Sequence, residues 1–234
     1  MTDAIREIAF DTETTGFDYA GEDRVVELGA VELINHIPTG KTYRQLIHPR
    51  RKVSEATVRI TGITDEMLAD QPHFDAPEVV DAFLEFIGDA TLVAHNAAFD
   101  RGFLNAELAR CGRPPVPPIR WVDTVAMAKK KFPGAPASLD ALGKRFDVSL
   151  ESRTLHGALL DAQLLATVYL ELLGGRARAF SFDGPVSDEK SLRKPAKQRA
   201  MALPPRLLSS EEAAHRAHID ALGEDAIWKK SGAS

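Results

Sequence analysis

Three strand-like segments crowd the first 47 residues with only turns between them, and beyond them strand and helix patterns alternate; few folds satisfy both halves at once. Residues 5–11, 25–34 and 41–47 carry the apolar and β-branched runs of strands, and the stretches 16–21 and 35–40 between them are rich in turn formers. Links that short join antiparallel neighbours, so the three segments form a meander. From residue 75 the period changes. Val79, Val80, Phe83, Leu84 and Ile87 recur at helical spacing behind Pro77 and Glu78, with Asp75 as the expected start and Gly88 as the stop. A short strand at 91–94 follows, then a helix at 98–110 closed by Gly112 and prolines 114, 115, 117 and 118. A strand at 121–123 and helices near 124–131, 138–145 and 156–173 complete the alternation, which implies parallel strands. The expected fold is α/β: a mixed five-stranded sheet with helices on both faces, ending at Gly174 and Gly175.

Beyond this domain the periodicity vanishes. Residues 190–206 carry six basic side chains and no acidic one, the composition of a flexible linker. Ser209 with Glu212 then resembles a capping box opening a short helix through Ala213, Ala217, Ile219 and Leu222, followed by Trp228. The expected division is a domain at 1–175, a basic linker at 176–208 and a C-terminal segment at 209–234. With no 18-residue apolar run and no basic-then-apolar start, neither a membrane span nor a signal peptide is expected, and a soluble cytoplasmic protein is. The single cysteine, Cys111, has no partner for an internal disulfide or a zinc site. Residues 1–175 hold 18 Lys and Arg against 26 Asp and Glu, whereas residues 176–234 hold 11 against 8. An acidic body is unexpected for a protein that holds a polyanion by charge alone. Either metal ions supply local positive charge or a partner carries the substrate.

Four acids and one histidine stand out. Asp11 and Glu13 lie two residues apart at the end of the first strand, so a period of two sends both side chains to one face. Two such carboxylates repel each other and are stabilised by a cation; hard oxygen ligands suit Mg²⁺ or Mn²⁺ better than zinc. Thr14, Thr15 and Gly16 follow in a small-residue loop that a ligand can approach. Asp161 sits on the apolar face of a helix, where Leu164, Leu165 and Val168 are its neighbours at three, four and seven residues. A carboxylate there must be ion-paired, protonated or metal-bound. His156 precedes Asp161 by five residues, roughly 140° of helix rotation, so it is expected on the loop entering the helix rather than on the same face. An unperturbed imidazole near metals suits general-base work on water. Asp100 follows His95 and Asn96 where a short strand hands over to a helix, the usual place for a site in an α/β sheet. Asp123 and Asp140, in similar settings, are read as structural.

The blocks FDTETTG at 10–16, HNAAFD at 95–100 and LHGALLDA at 155–162 together resemble the three motifs of the DEDDh exonuclease superfamily. Matched residue by residue, the acids are Asp11, Glu13, Asp100 and Asp161 and the histidine is His156. Within the superfamily the chain most resembles the proofreading subunits of bacterial replicative polymerases, over nearly all of residues 5–175. The resemblance implies a ribonuclease H-like fold and hydrolysis of the phosphodiester nearest a DNA 3′ end, with release of nucleoside monophosphates. It also implies two divalent metal ions, Mg²⁺ or Mn²⁺: Asp11 bridging both, Glu13 and Asp161 completing one site, Asp100 supporting the other, and His156 accepting the proton of the attacking water. Thr14, Thr15, Gly16, Phe17, His95 and Asn96 are the expected contacts to the terminal nucleotide.

The same resemblance implies partners. The C-terminal segment with Ile219, Leu222 and Trp228 would grip the polymerase subunit of the replicase, in the nucleoid-associated replisome, and a small accessory subunit is a further expected partner. The family's clamp-binding peptide opens with Gln and ends in an aromatic. Here RARAFSF at 176–182 offers Phe180 and Phe182 without the Gln, so a weak sliding-clamp contact is expected. Two other readings stay open at this point: an exoribonuclease acting on RNA 3′ ends, and a noncatalytic domain that stabilises a polymerase.

Overall fold

The computed structural model describes residues 4–148, 156–175 and 209–222. The chain forms two compact units, Met1–Phe182 and Asp183–Ser234. The first opens with the meander: β1 (Arg6–Thr14), β2 (Val25–Ile34) and β3 (Ile37–Leu46), each antiparallel to the one before. Helices α1 (Glu55–Thr61), α2 (Asp65–Leu68) and α3 (Pro77–Ile87) lead to β4 (Thr91–Ala94), and α4 (Ala97–Arg110) leads through a 3₁₀ turn to β5 (Trp121–Asp123). The unit ends with α5 (Thr124–Lys131), α6 (Leu139–Arg145) and α7 (Ala158–Leu172). The strand order is β3-β2-β1-β4-β5, with β4 parallel to β1 and β5 parallel to β4. This is the expected mixed sheet of five strands. The second unit contains α8 (Ser209–Ala221) among the described residues; Phe180, Phe182, Trp228 and the linker at 176–208 lie outside them.

β1 sits at the centre of the sheet and its alternation sorts the whole unit. Ile8 and Phe10 enter a core with Phe83 of α3 and Phe103 and Leu104 of α4, all fully buried. Ala9, between them, joins the opposite core with Val93, Leu165 and Val168. Each large side chain so buried contributes about 1.5–3 kcal/mol. Glu7 belongs to the second face, where its carboxylate accepts from Tyr169 Oη of α7 at 2.7 Å and pairs with His36 Nδ1 at 2.6 Å.

Several boundaries differ from expectation for local reasons. β1 runs on to Thr14 rather than stopping at Asp11, and a bulge between Glu13 and Thr14 in its pairing with β2 bends its end. β3 starts at Ile37, four residues early, because Asn35 and His36 both take positive φ (51° and 69°) and close a two-residue hairpin turn. α3 begins at Pro77 with Ala76 as its cap; the Asp75 carboxylate instead accepts two 2.9 Å bonds from Arg50. α1 and α2 were not expected, although Ser54 and Thr64 cap them with their hydroxyls. α7 starts at Ala158, which leaves His156 in the preceding segment.

The seat of α7 is the tightest feature of the sheet. Gly29 of β2 lies against the first turn of the helix, and a Cβ there would collide with the main chain of Ala158 and Leu159. Two residues earlier on the same strand, buried Glu27 accepts the Ala158 amide at 2.9 Å, satisfying one of the helix's unpaired N-terminal donors and complementing its dipole. Arg44 of β3 holds the other Glu27 oxygen at 2.6 Å. Gly29→Ala is expected to lower stability by about 1–3 kcal/mol, the usual range for overpacking. Urea unfolding measures the loss; an unchanged midpoint would show that α7 is free to shift.

Candidate active site

Three separate segments meet at the C-terminal end of β1. Alternation puts Asp11 and Glu13 on the same face as Glu7 and Ala9, the face covered by α7. From α7 comes Asp161, 4% exposed, and from the segment before it His156, whose Nδ1 lies 3.0 Å from Asp161 Oδ2. One donor atom each from Glu13, His156 and Asp161 falls within 4.8 Å of the others. His156 and Asp161 therefore touch although they share no helical face, because His156 precedes the Gly157 cap and its amide donates to Ile60 O of α1 at 3.0 Å. This set of two carboxylates and an imidazole, with Asp11 beside it on the strand, fits a divalent cation that prefers oxygen and nitrogen donors.

Asp100 arrives from the other face. It sits in the first turn of α4, 3% exposed, and its Oδ1 accepts from both the amide and the hydroxyl of Thr12, at 3.1 and 2.9 Å. Thr12 points towards α4 because its neighbours Asp11 and Glu13 point towards α7. Burial pushes the Asp100 carboxyl up to about 7; the Thr12 bonds oppose that shift and the nearby charge of Asp123 adds to it.

Beside the acids lies a cavity of about 380 Å³. The first-motif loop forms one wall with Glu13, Thr14, Thr15, Gly16 and Phe17, and α1 forms the other with Thr57, Ile60 and Thr61. Thr57 Oγ1 donates to Thr15 O at 3.1 Å and fixes the two walls together. Phe17 is 84% exposed at the rim, where its ring lies 6.3 Å from that of Phe99. His95 and Asn96 do not line this cavity. His95 Nδ1 lies 2.9 Å from Thr124 Oγ1, and Asn96 occupies the α4 cap position with φ 70° and donates its amide to Asp123 Oδ1. Asp123 itself caps α5 through Val125 N, the structural role expected of it.

Sequence reading missed two contributors. The α1 wall follows Ser54, whose place ahead of a short helix is a weak signal. Glu27 gave a stronger one: a carboxylate inside the apolar run VVELGAVEL poses the same burial problem as Asp161 and must have partners.

Comparison with known proteins gives the family. A family model described as exonuclease matches residues 8–169. The chain belongs to the exonuclease family, a class of metal-dependent phosphodiester hydrolases. Among curated relatives, DNA polymerase III subunit epsilon of Escherichia coli (strain K12) is 38% identical over 98% of this chain and 100% of that protein. The subunit of the same name from Rickettsia conorii is 47% identical over 76% of this chain and 77% of its own length. Exonuclease X in complex with 5′ overhanging duplex DNA superposes with a TM-score of 0.55 at 27% identity, covering 72% of this chain and 90% of that one. The nuclease domain of 3′hExo, a DEDDh family member bound to rAMP, has a TM-score of 0.62 at 19% identity and covers 74% and 93%; at that identity it speaks for the ribonuclease H-like fold alone.

The raised Asp100 carboxyl sets a pH dependence. The unfolded chain loses this proton near 3.8 and the folded one near 7, so between those values the folded state binds more protons and stability falls as pH rises. Chelator-treated protein is expected to lose stability across that window, and Asp100→Asn, which keeps an acceptor for Thr12, to flatten the slope. Thermal melts from pH 4 to 8 (about the span of the two values) decide it; parallel profiles for the two proteins would contradict the assignment.

Proposed function

We propose that the chain is the 3′–5′ proofreading exonuclease of a bacterial replicative polymerase, hydrolysing the terminal phosphodiester of a DNA 3′ end to release a nucleoside 5′-monophosphate. The observation that carries the reading is the convergence of Glu13, His156 and Asp161 within 4.8 Å beside the cavity formed by the first-motif loop. Identity to epsilon subunits across nearly the whole chain supports DNA over RNA as the substrate.

Asp11, Glu13, Asp100 and Asp161 would hold two divalent ions, Mg²⁺ or Mn²⁺. When bound, such ions supply Lewis acidity that offsets negative charge on the attacking and leaving oxygens. The residues of the chain do the rest. Asp161 can only accept when ionised, so the 3.0 Å contact fixes the proton of His156 on Nδ1 and leaves the Nε2 lone pair to take the proton of the attacking water. The His156 side chain is 47% exposed, which keeps that nitrogen within reach of solvent. The terminal nucleotide fits the cavity between the motif loop and α1, with the exposed Phe17 ring offering a face for the base. Thr14, Thr15 and Gly16 line the approach of its sugar and phosphate.

The protein would work as a cytoplasmic, replisome-bound subunit. The described residues of α8 are exposed apart from Ile219, and Leu222 is 50% exposed, a surface suited to docking on the polymerase subunit. A small accessory subunit and a weak clamp contact through Phe180 and Phe182 complete the proposed partners.

With Mg²⁺ or Mn²⁺ the purified protein is expected to shorten single-stranded DNA from its 3′ end, and EDTA to stop it. Asp11→Ala should abolish the activity. His156→Ala should lower kcat by roughly 10²–10⁴ with metal affinity largely kept. Shortening from the 5′ end, or activity that survives chelation, would refute the mechanism; metal affinity lost together with the rate would make His156 a ligand rather than a base. Removal of residues 176–234 should abolish polymerase binding in size-exclusion chromatography and preserve hydrolysis of free single strands. Undiminished binding would move the interface to the catalytic unit.

A further inference from the structure

We propose that a basic pocket next to the catalytic cavity receives backbone phosphates of the strand being shortened, a few nucleotides before its 3′ end. The proposal rests on the exonuclease reading above and names how the same site holds its polymer. The pocket has a volume of about 540 Å³, and its charged lining is Arg24, Arg50, Arg51, Lys52 and Arg110 against a single acid, Glu22. On a unit with 18 basic and 26 acidic residues through position 175, five cationic side chains gathered at one pocket stand apart, and Lys52 adds its charge to four arginines that carboxylates behind the lining hold in place.

The counter-ions of these cations lie outside the lining. Glu107, 1% exposed, takes Arg24 through two 2.7 Å bonds and stands 3.5 Å from Arg110. Asp75 takes Arg50, and Asp23 takes Arg51 at 3.2 Å. A guanidinium has five donors, so one edge bound to a carboxylate leaves others for a phosphate. Arg24 spends Nε and one terminal nitrogen on Glu107, which orders its remaining donors in advance. Preordered cations bind an anion at less entropic cost than free ones.

Adjacency selects the ligand. The Thr15 amide donates to Arg24 O at 2.9 Å and Thr15 Oγ1 accepts from the Arg24 amide at 3.1 Å, while Thr15 also lines the catalytic cavity. On the other side Lys52 precedes Ser54, another lining residue of that cavity, by two positions, at most roughly 7 Å along the chain. The two cavities therefore share a wall. A strand whose last nucleotide fills the catalytic cavity continues past that shared wall, so its next few phosphates fall within reach of the basic pocket.

The test compares the full chain with Arg51→Ala/Lys52→Ala in Mg²⁺ on two substrates, a 12-mer of thymidylate and the p-nitrophenyl ester of thymidine 5′-monophosphate. The small ester reports the catalytic centre alone, so failure of the unaltered protein to hydrolyse either substrate would fail the exonuclease reading and not this one. For the 12-mer, KM is expected to rise on the order of tenfold at unchanged kcat, and the slope of log affinity on log salt to fall by roughly 1.4, about 0.7 for each of two phosphates. Lys52→Glu, at an exposed position, should raise KM further with an unchanged melting temperature. Lys129→Ala/Lys130→Ala, which removes the same charge from α5, should leave KM for the 12-mer unaltered. The proposal is overturned if the 12-mer KM and salt slope do not move. It is equally overturned if KM rises as much for the small ester, if the α5 variant matches the pocket variant, or if only a duplexed primer is affected, which would assign the pocket to the complementary strand.

Discussion

The approach of α7 to β2 at Gly29 fixes the α7 side of the candidate site. A helix carrying Asp161 on its buried side must meet the sheet where Asp11 and Glu13 emerge, and the missing side chain at position 29 is what lets its first turn sit there. Glu27 then acts as a cap delivered by the sheet rather than by the helix's own sequence, since Gly157 offers no side chain for the task. His156 takes its place as a consequence, one residue outside the cap and tethered through its amide to α1. The centre is thus set by main-chain contacts, with the reactive side chains hung from a frame that does not rely on them.

Electrostatics divides the buried acids into two kinds. Glu32 pairs with Arg6 at 2.8 Å and is held below the usual carboxylate range, chiefly by that bond, while Glu107 is gripped by Arg24. These are matched charges that hold strands and helices in register. At the end of β1 the chain instead brings Glu13 and Asp161 beside His156, with Asp11 on the same strand face, while Asp100 meets Thr12 from α4 and keeps its proton to an unusually high pH. Carboxylates brought this close to one another are the local departure from stability expected of a functional site. A cation is the chemical answer to it.

The mixed five-stranded sheet and the helices from α3 to α7 were legible because strand and helix periods change cleanly along the chain; β2, β4, β5 and α5 fall where the pattern puts them. What escaped were features set by tertiary contact. α1 and α2 are too short to show a period, and Asp75 left its expected place as a cap because Arg50, distant in sequence, offered a better partner. Of the carboxylates of the candidate site, Asp161 was visible in the sequence as an acid in the wrong surroundings. His95 and Asn96 were not separable from them, since a histidine bonded to Thr124 and an asparagine at a positive-φ cap look in sequence like any polar pair between strand and helix. Glu27, a buried carboxylate inside an apolar run, carries the same signal as Asp161.

Because β1 alternates between two committed faces, it tolerates change unevenly. A side chain on either face can be exchanged and the others keep their places, but insertion or deletion of one residue between Arg6 and Glu13 would turn Thr12 towards α7 and an acid towards α4, inverting both cores at once. Variation among descendants of such a sequence should therefore accumulate as substitutions within this strand and as length changes in the exposed turns, such as residues 17–22 and 112–115. The spacing of the acids is a heritable unit of length, guarded by packing as much as by chemistry.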